Sequence, residues 1–298
     1  MLEKYNNIII LDCPEITCPP PLLKVYIEFS DAFKRKNYTI RISNSIKYIN
    51  DTSIVLMGNF FHINNPGELL NNQSKNAFYI GWYWHKQDVS MLKYFLHIYE
   101  NVLSKDPLPD KVEVLKFMNS ILNSSPLLLR ANDAIEDIGN FERNVDKDYC
   151  YMGYRICDWL IPGKPYKGIY HGVHCVSQYL DYDVRRKYYL SSTFALGFQS
   201  DENIINEHVS QRIYEGMAYG CIVLSNSMPA CIQTDGIVEY IHSKEDLEEK
   251  MKYYLDNPDK IKEKQYKGYK FVREKGTNNY TLEKILNVIK LYINPHLN

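Results

Sequence analysis

The sequence predicts an α/β protein of two domains, each built on a sheet with crossover helices. Three observations point there. Short, wholly apolar runs end in loops. Segments with apolar residues at helical spacing separate those runs. The pattern then stops at a polar stretch and starts again. A length of 298 residues fits two ordinary domains.

Ile8, Ile9, Ile10 and Leu11 form the first run, read as a buried parallel strand emptying at Asp12. Three prolines, Pro19, Pro20 and Pro21, are expected to delay regular structure until a helix over 22–35. Strands are expected at 38–42, 53–57 and 77–84, and helices at 91–103 and 112–122. After a polar stretch at 132–147, strands are expected at 149–154, 168–173 and 193–198, with a helix at 184–190. A helix at 210–219 leads directly into a strand at 221–225. Ser243 and Asp246 have capping-box spacing for a helix running to 255. Asn257-Pro258 suits the start of another helix. Leu282, Ile285, Leu286, Ile289 and Ile293 stripe a last one. The expected division is 1–143, 144–280, and a terminal helix over 281–298.

Composition excludes several classes. The chain has 35 Lys+Arg against 36 Asp+Glu, a net charge of −1, which argues against a nucleic-acid coat or an anionic-membrane binder. Apolar residues at 45% and charged residues at 24% exclude intrinsic disorder. The seven cysteines are odd in number and show no C-x-x-C spacing, so they read as reduced thiols in a cytoplasmic protein. No apolar stretch reaches transmembrane length, so any membrane contact is expected to be peripheral.

The segment richest in chemistry runs from Glu207 through Ser210, Arg212, Glu215 and Gly220 to Ser225. Ser210 is a suitable N-cap, and the amides of a first helical turn lack intrahelical acceptors, so this end attracts phosphate. Val209, Ile213 and Met217 share one face, expected to be buried. Arg212 and Glu215 are three apart on another face, where the ordinary outcome is a solvated i,i+3 contact. Gly220 suits a left-handed helix end. A loop, helix and strand in this order at the carboxyl edge of a parallel sheet is where open α/β proteins hold nucleotides.

Glu207 and Glu215, seven residues between them, followed by Gly216-Met217-Ala218-Tyr219-Gly220-Cys221-Ile222-Val223, resemble the donor-binding segment of GT-B glycosyltransferases. Ser210, Arg212 and Glu215 are similar to the Ser-x-Arg-x-x-Glu pattern of the CgeB-like branch. The resemblance covers about 148–290 and is architectural before that. It implies two Rossmann-like domains facing a central cleft, with the last helix crossing back to the first. It implies that Glu215 binds the ribose hydroxyls of a nucleotide-sugar and that Glu207 meets the donor sugar. The amides of Val209, Ser210 and Gln211 and the Arg212 side chain would hold the diphosphate. Arg155 and Lys164 are further phosphate candidates, and the stretch containing Gly172 and Val176 lies where such enzymes recognise the base.

In the first domain, His85 closes the run Gly81-Trp82-Tyr83-Trp84 and is a candidate base or hydrogen-bond donor; Asp12 is a candidate base. The function expected from the resemblance is transfer of a sugar from a nucleotide-diphosphate donor, UDP or GDP first, to a hydroxyl of a glycan, protein or lipid. Retention at the sugar carbon is expected. No metal and no cofactor beyond the co-substrate is implied, because Arg212 and a helix N-terminus can neutralise the phosphates, and no nucleic-acid partner is expected. Val209-Ser210-Gln211-Arg212-Ile213-Tyr214 also resembles an inverting fucosyltransferase pattern. A GT-B-like nucleotide-sugar epimerase and a non-catalytic sugar-nucleotide binder compete with the transferase reading.

Overall fold

A computed structural model of the chain describes residues 5–11, 20–57, 77–81, 142–153, 160–170, 182–205, 207 and 209–293. Contacts divide the chain into two compact units, Met1–Leu128 with Thr281–Asn298, and Leu129–Tyr280.

In the first unit, β1 (Asn7–Leu11), β2 (Thr39–Ser43), β3 (Ser53–Met57) and β4 (Phe78–Gly81) form one parallel sheet in the order β2-β1-β3-β4. Ile8, Ile9 and Ile10 are fully buried, as a central strand covered on both faces requires. Helix α1 (Pro20–Arg35) connects β1 to β2 and buries Tyr26, Phe29 and Phe33. It starts at Pro20, earlier than expected. Proline is tolerated in a first helical turn because its missing N–H has no intrahelical acceptor there. Phe29 and Phe33, one turn apart, meet edge to face at 5.3 Å. At the other end of the chain, Leu282 and Leu286 are buried, and Glu283 forms an ion pair with Lys36, just past α1.

In the second unit, β5 (Lys147–Tyr151), β6 (Gly168–Tyr170), β7 (Ser192–Leu196), β8 (Ile222–Ser225) and β9 (Glu239–Tyr240) form a parallel sheet in the order β6-β5-β7-β8-β9. The strands alternate between two cores. Cys150, Ala195 and Val223 face a layer that includes Ile213, Met217 and Phe271. Tyr149, Phe194 and Leu224 face a layer that includes Leu247 and Met251. Successive strand residues point to opposite faces, so helices must cover both sides.

Those helices are α2 (Tyr182–Leu190), α3 (Asp201–Ile205), α4 (Gln211–Ala218), α5 (Met228–Gln233), α6 (Lys244–Asp256) and α7 (Pro258–Lys275). The last helix of the chain is α8 (Asn278–Ile293). The short elements α3, α5 and β9 have no expectation behind them. The capping box at α6 is offset by one residue. Ser243 Oγ accepts from Asp246 N at 3.2 Å, but Asp246 Oδ2 accepts from His242 N at 3.1 Å. Asn257 stands at the N-cap of α7 without a capping bond; its Nδ2 donates instead to Tyr253 O of α6 at 2.7 Å.

Arg143 fastens the amino-terminal edge of this sheet. Its guanidinium donates to Gly220 O at 2.5 Å, to Tyr189 O at 3.2 Å, and to Ser192 O. These carbonyls belong to the ends of α4 and α2 and the start of β7, so one side chain satisfies three backbone groups.

Candidate functional site

By position in the second unit, the strand order is second, first, third, fourth, fifth. The direction of winding reverses between β5 and β7, and open α/β sheets bind ligands outside the carboxyl ends of the strands at such a switch point. Met152 follows the end of β5, and Phe198 lies two residues past the end of β7. Helix α4 brings Arg212 to both of them.

Helix α4 reaches this position because of what lies under it. Val209, Ile213 and Met217 are buried against the sheet, as their spacing predicts. Gly216 permits close approach, since a Cβ there would fall 2.9 Å from Ala195 Cβ and 3.0 Å from Val223 Cγ2. Gly220 then turns the chain with φ +83°, the left-handed geometry expected at a helix end.

Arg212 is half-buried. Its Nη1 donates to Met152 O at 3.5 Å and its Nη2 donates to Phe198 O. The Phe198 turn is itself held by Asn226 after β8. Asn226 Oδ1 accepts from Gln199 N at 2.8 Å, and Asn226 Nδ2 donates to Gln199 O at 2.9 Å. The Nε of Arg212 and the Oγ of Ser210 are buried atoms without hydrogen-bond partners. Ser210 occupies the N-cap of α4, as expected, but its hydroxyl makes no capping bond. Buried polar atoms left unpaired are uncommon and costly. Two of them at one helix N-terminus, one on a cation, fit an acidic oxygen ligand.

Glu215 departs from the expected surface contact with Arg212. It is only 3% exposed, and its partner is Arg185 of α2. Arg185 Nη1 donates to Oε1 at 2.7 Å and to Oε2 at 2.9 Å. Tyr189 Oη, one turn along α2, donates to Oε2 at 3.4 Å. Burial, with the Glu215 charge adding to it, pushes the Tyr189 phenol well above its ordinary range, so it remains a donor. Gln211, the remaining expected residue on this helix, is buried in the first turn.

Glu207 is exposed, with φ +54°, an uncommon geometry for a residue other than glycine. Its carbonyl accepts from Gln233 Nε2 of α5 at 3.3 Å. Lys164 is exposed in a loop held to α6, where Gly163 N donates to Glu248 Oε1 at 2.9 Å and Tyr166 Oη to Glu248 O at 2.8 Å. Asp12, His85, Arg155, Gly172 and Val176 lie outside the described residues. Among the described residues no group of three His, Cys, Asp or Glu is placed to hold a metal ion, and no helix is long and apolar enough to cross a membrane.

Sequence reasoning missed Arg185 and Asn226. Arg185 shares a helix face with Tyr189, a buried position that ordinarily takes an apolar residue. Nothing in the local pattern of Val184-Arg185-Arg186-Lys187 tells which arginine turns inward.

Comparison with known proteins gives a family match over part of the chain and a likeness of fold. The family described as glycosyl transferase-like matches residues 153–287, which span α4 and the strands on either side of it. No curated protein matches the chain by sequence. Among solved structures, an alpha-glucosyltransferase in complex with UDP and a 13-mer DNA containing a HMU base is similar, with a TM-score of 0.52 and 13% identity over 95% of this chain and 99% of that one. An alpha-glucosyltransferase in complex with UDP and a 13-mer DNA containing a central A:G mismatch is similar at a TM-score of 0.51 and 12% identity, over 95% and 98%. At such identities the likeness is one of fold. Residues 153–287 thus match the glycosyl transferase-like family, and the chain shares with these structures a fold of two Rossmann-like units, that of the GT-B class.

Proposed function

We propose that the protein is a glycosyltransferase whose second unit binds a nucleotide-diphosphate sugar, with UDP the first nucleotide to test. The observation that carries this reading is Arg212 at the switch point, with its Nε and the hydroxyl of Ser210, the N-cap of the same helix, both buried and unpartnered. The diphosphate would take these donors together with the first-turn amides of α4. Glu215 would accept from the ribose hydroxyls, and Glu207 would meet the donor sugar from its exposed turn. UDP is favoured because the similar glucosyltransferase structures contain it.

The reaction breaks the bond between the sugar's anomeric carbon and the diphosphate oxygen and forms one from that carbon to an acceptor oxygen. The nucleoside diphosphate leaves with added negative charge on its departing oxygen, and that oxygen takes up the proton that the acceptor hydroxyl gives up. Arg212 and the α4 N-terminus stabilise that charge, so catalysis rests on positioning and leaving-group electrostatics without a metal. We propose retention at the anomeric carbon, following the spacing of Glu207 and Glu215. A glycan, protein or lipid hydroxyl is the proposed acceptor, and the balanced net charge argues only against a nucleic-acid coat. Duplex DNA belongs in the acceptor panel because the similar structures hold it.

The test is release of nucleoside diphosphate from purified protein with a panel of sugar nucleotides, with and without acceptors. Release that depends on an acceptor supports transfer. Epimerisation or free sugar without an acceptor supports the epimerase reading. No nucleotide binding under any condition contradicts the proposal.

A further inference from the structure

Glu215, the residue proposed to recognise the ribose, is buried and held by a neighbour outside the family-like motif. The chemistry of that hold is specific. One nitrogen of Arg185 bridges both carboxylate oxygens at 2.7 and 2.9 Å, and the side chains are 10% and 4% exposed. Tyr189 Oη touches Oε2 from the same helix. Arg185 and Tyr189 are one turn apart on α2, so they meet a single target on a neighbouring element.

A buried carboxylate needs a compensating charge, and a carboxylate that grips a diol needs a fixed plane. We propose that Arg185 is a positioning residue for nucleotide recognition: it neutralises Glu215 and fixes the plane in which its oxygens meet the ribose hydroxyls. This rests on the ribose reading of Glu215. Arg185 acts through Glu215 and does not itself contact the nucleotide.

The experiment compares calorimetric affinities for UDP and for 2′,3′-dideoxyuridine diphosphate, which lacks both ribose hydroxyls. The ratio of the two reports ribose recognition and is insensitive to a general loss of folded protein. The parent is expected to prefer UDP by at least about tenfold, the low end for hydrogen bonds to a charged group. E215Q and R185M should each bring the ratio to within about twofold, and R185K should keep part of it. The double variant R185M/E215Q removes the buried charge on both sides and should match E215Q alone. If R185M does not fold, R185K and the double variant still decide. A folded R185M with the full parental preference, or a double variant worse than E215Q by the whole effect of R185M, overturns the role of Arg185 alone. A parent with no preference for UDP, or an E215Q variant that keeps it, overturns the ribose reading and this inference with it.

Discussion

Gly220 and Tyr269 are in close register: a Cβ on Gly220 would fall 1.9 Å from the Tyr269 phenol oxygen. The same glycine has φ +83°, which side chains other than glycine rarely adopt. Gly220→Ala should therefore destabilise the protein by about 1–3 kcal/mol, the usual cost of a strained backbone site. Adding Tyr269→Leu removes the clash but not the backbone strain, so thermal melting should recover only in part. Full recovery would place the whole effect in the contact.

Arg143 is expected to matter for stability alone. Its guanidinium satisfies carbonyls of Tyr189, Ser192 and Gly220 at the amino-terminal edge of the second sheet. The candidate site lies at the carboxyl edge. Arg143→Met should cost about 2 kcal/mol in urea unfolding, from buried carbonyls that lose a charged donor and keep at most the weak Cys221 thiol. Nucleotide affinity of the folded fraction should not change. Weakened affinity at full folding would show that the edges are coupled.

Stability should fall on the alkaline side. Burial, with Glu239 adding to it, pushes the Cys231 thiol from 9.0 up to about 11. Between these values the unfolded chain has lost this proton and the folded chain keeps it. The unfolded state binds fewer protons there, so stability declines as pH rises through this window and the Cys231 contribution is lost by about pH 11. Cys231→Ala should show a shallower decline in urea midpoint over that range. Parallel curves for parent and variant would exclude the thiol as a source.

Much of this architecture was legible beforehand because it depends on local pattern. The run from Ile8 to Leu11 and the alternation of Val223 with Ile222 and Leu224 could only be covered strands. Gly220 marked its helix end. Of the candidate helix, the N-cap position of Ser210 and the buried face of Val209, Ile213 and Met217 were legible. What could not be read was decided between elements. Glu215 turns inward because Arg185 waits on a helix thirty positions earlier, and the bearing of α4 against the sheet depends on Gly216 meeting Ala195 and Val223. Asn257 had two helix ends available and its amide took the carbonyl of the first. Short pieces such as α3 and α5 have too few residues to show a period.

The most direct test of the central claim is titration of the parent and Arg212→Ala with UDP, followed by calorimetry. The account predicts that the variant, folded as judged by its melting curve, binds UDP at least about tenfold more weakly, about 1.5 kcal/mol for a charge-assisted bond. Parental affinity in a folded Arg212→Ala protein would contradict it.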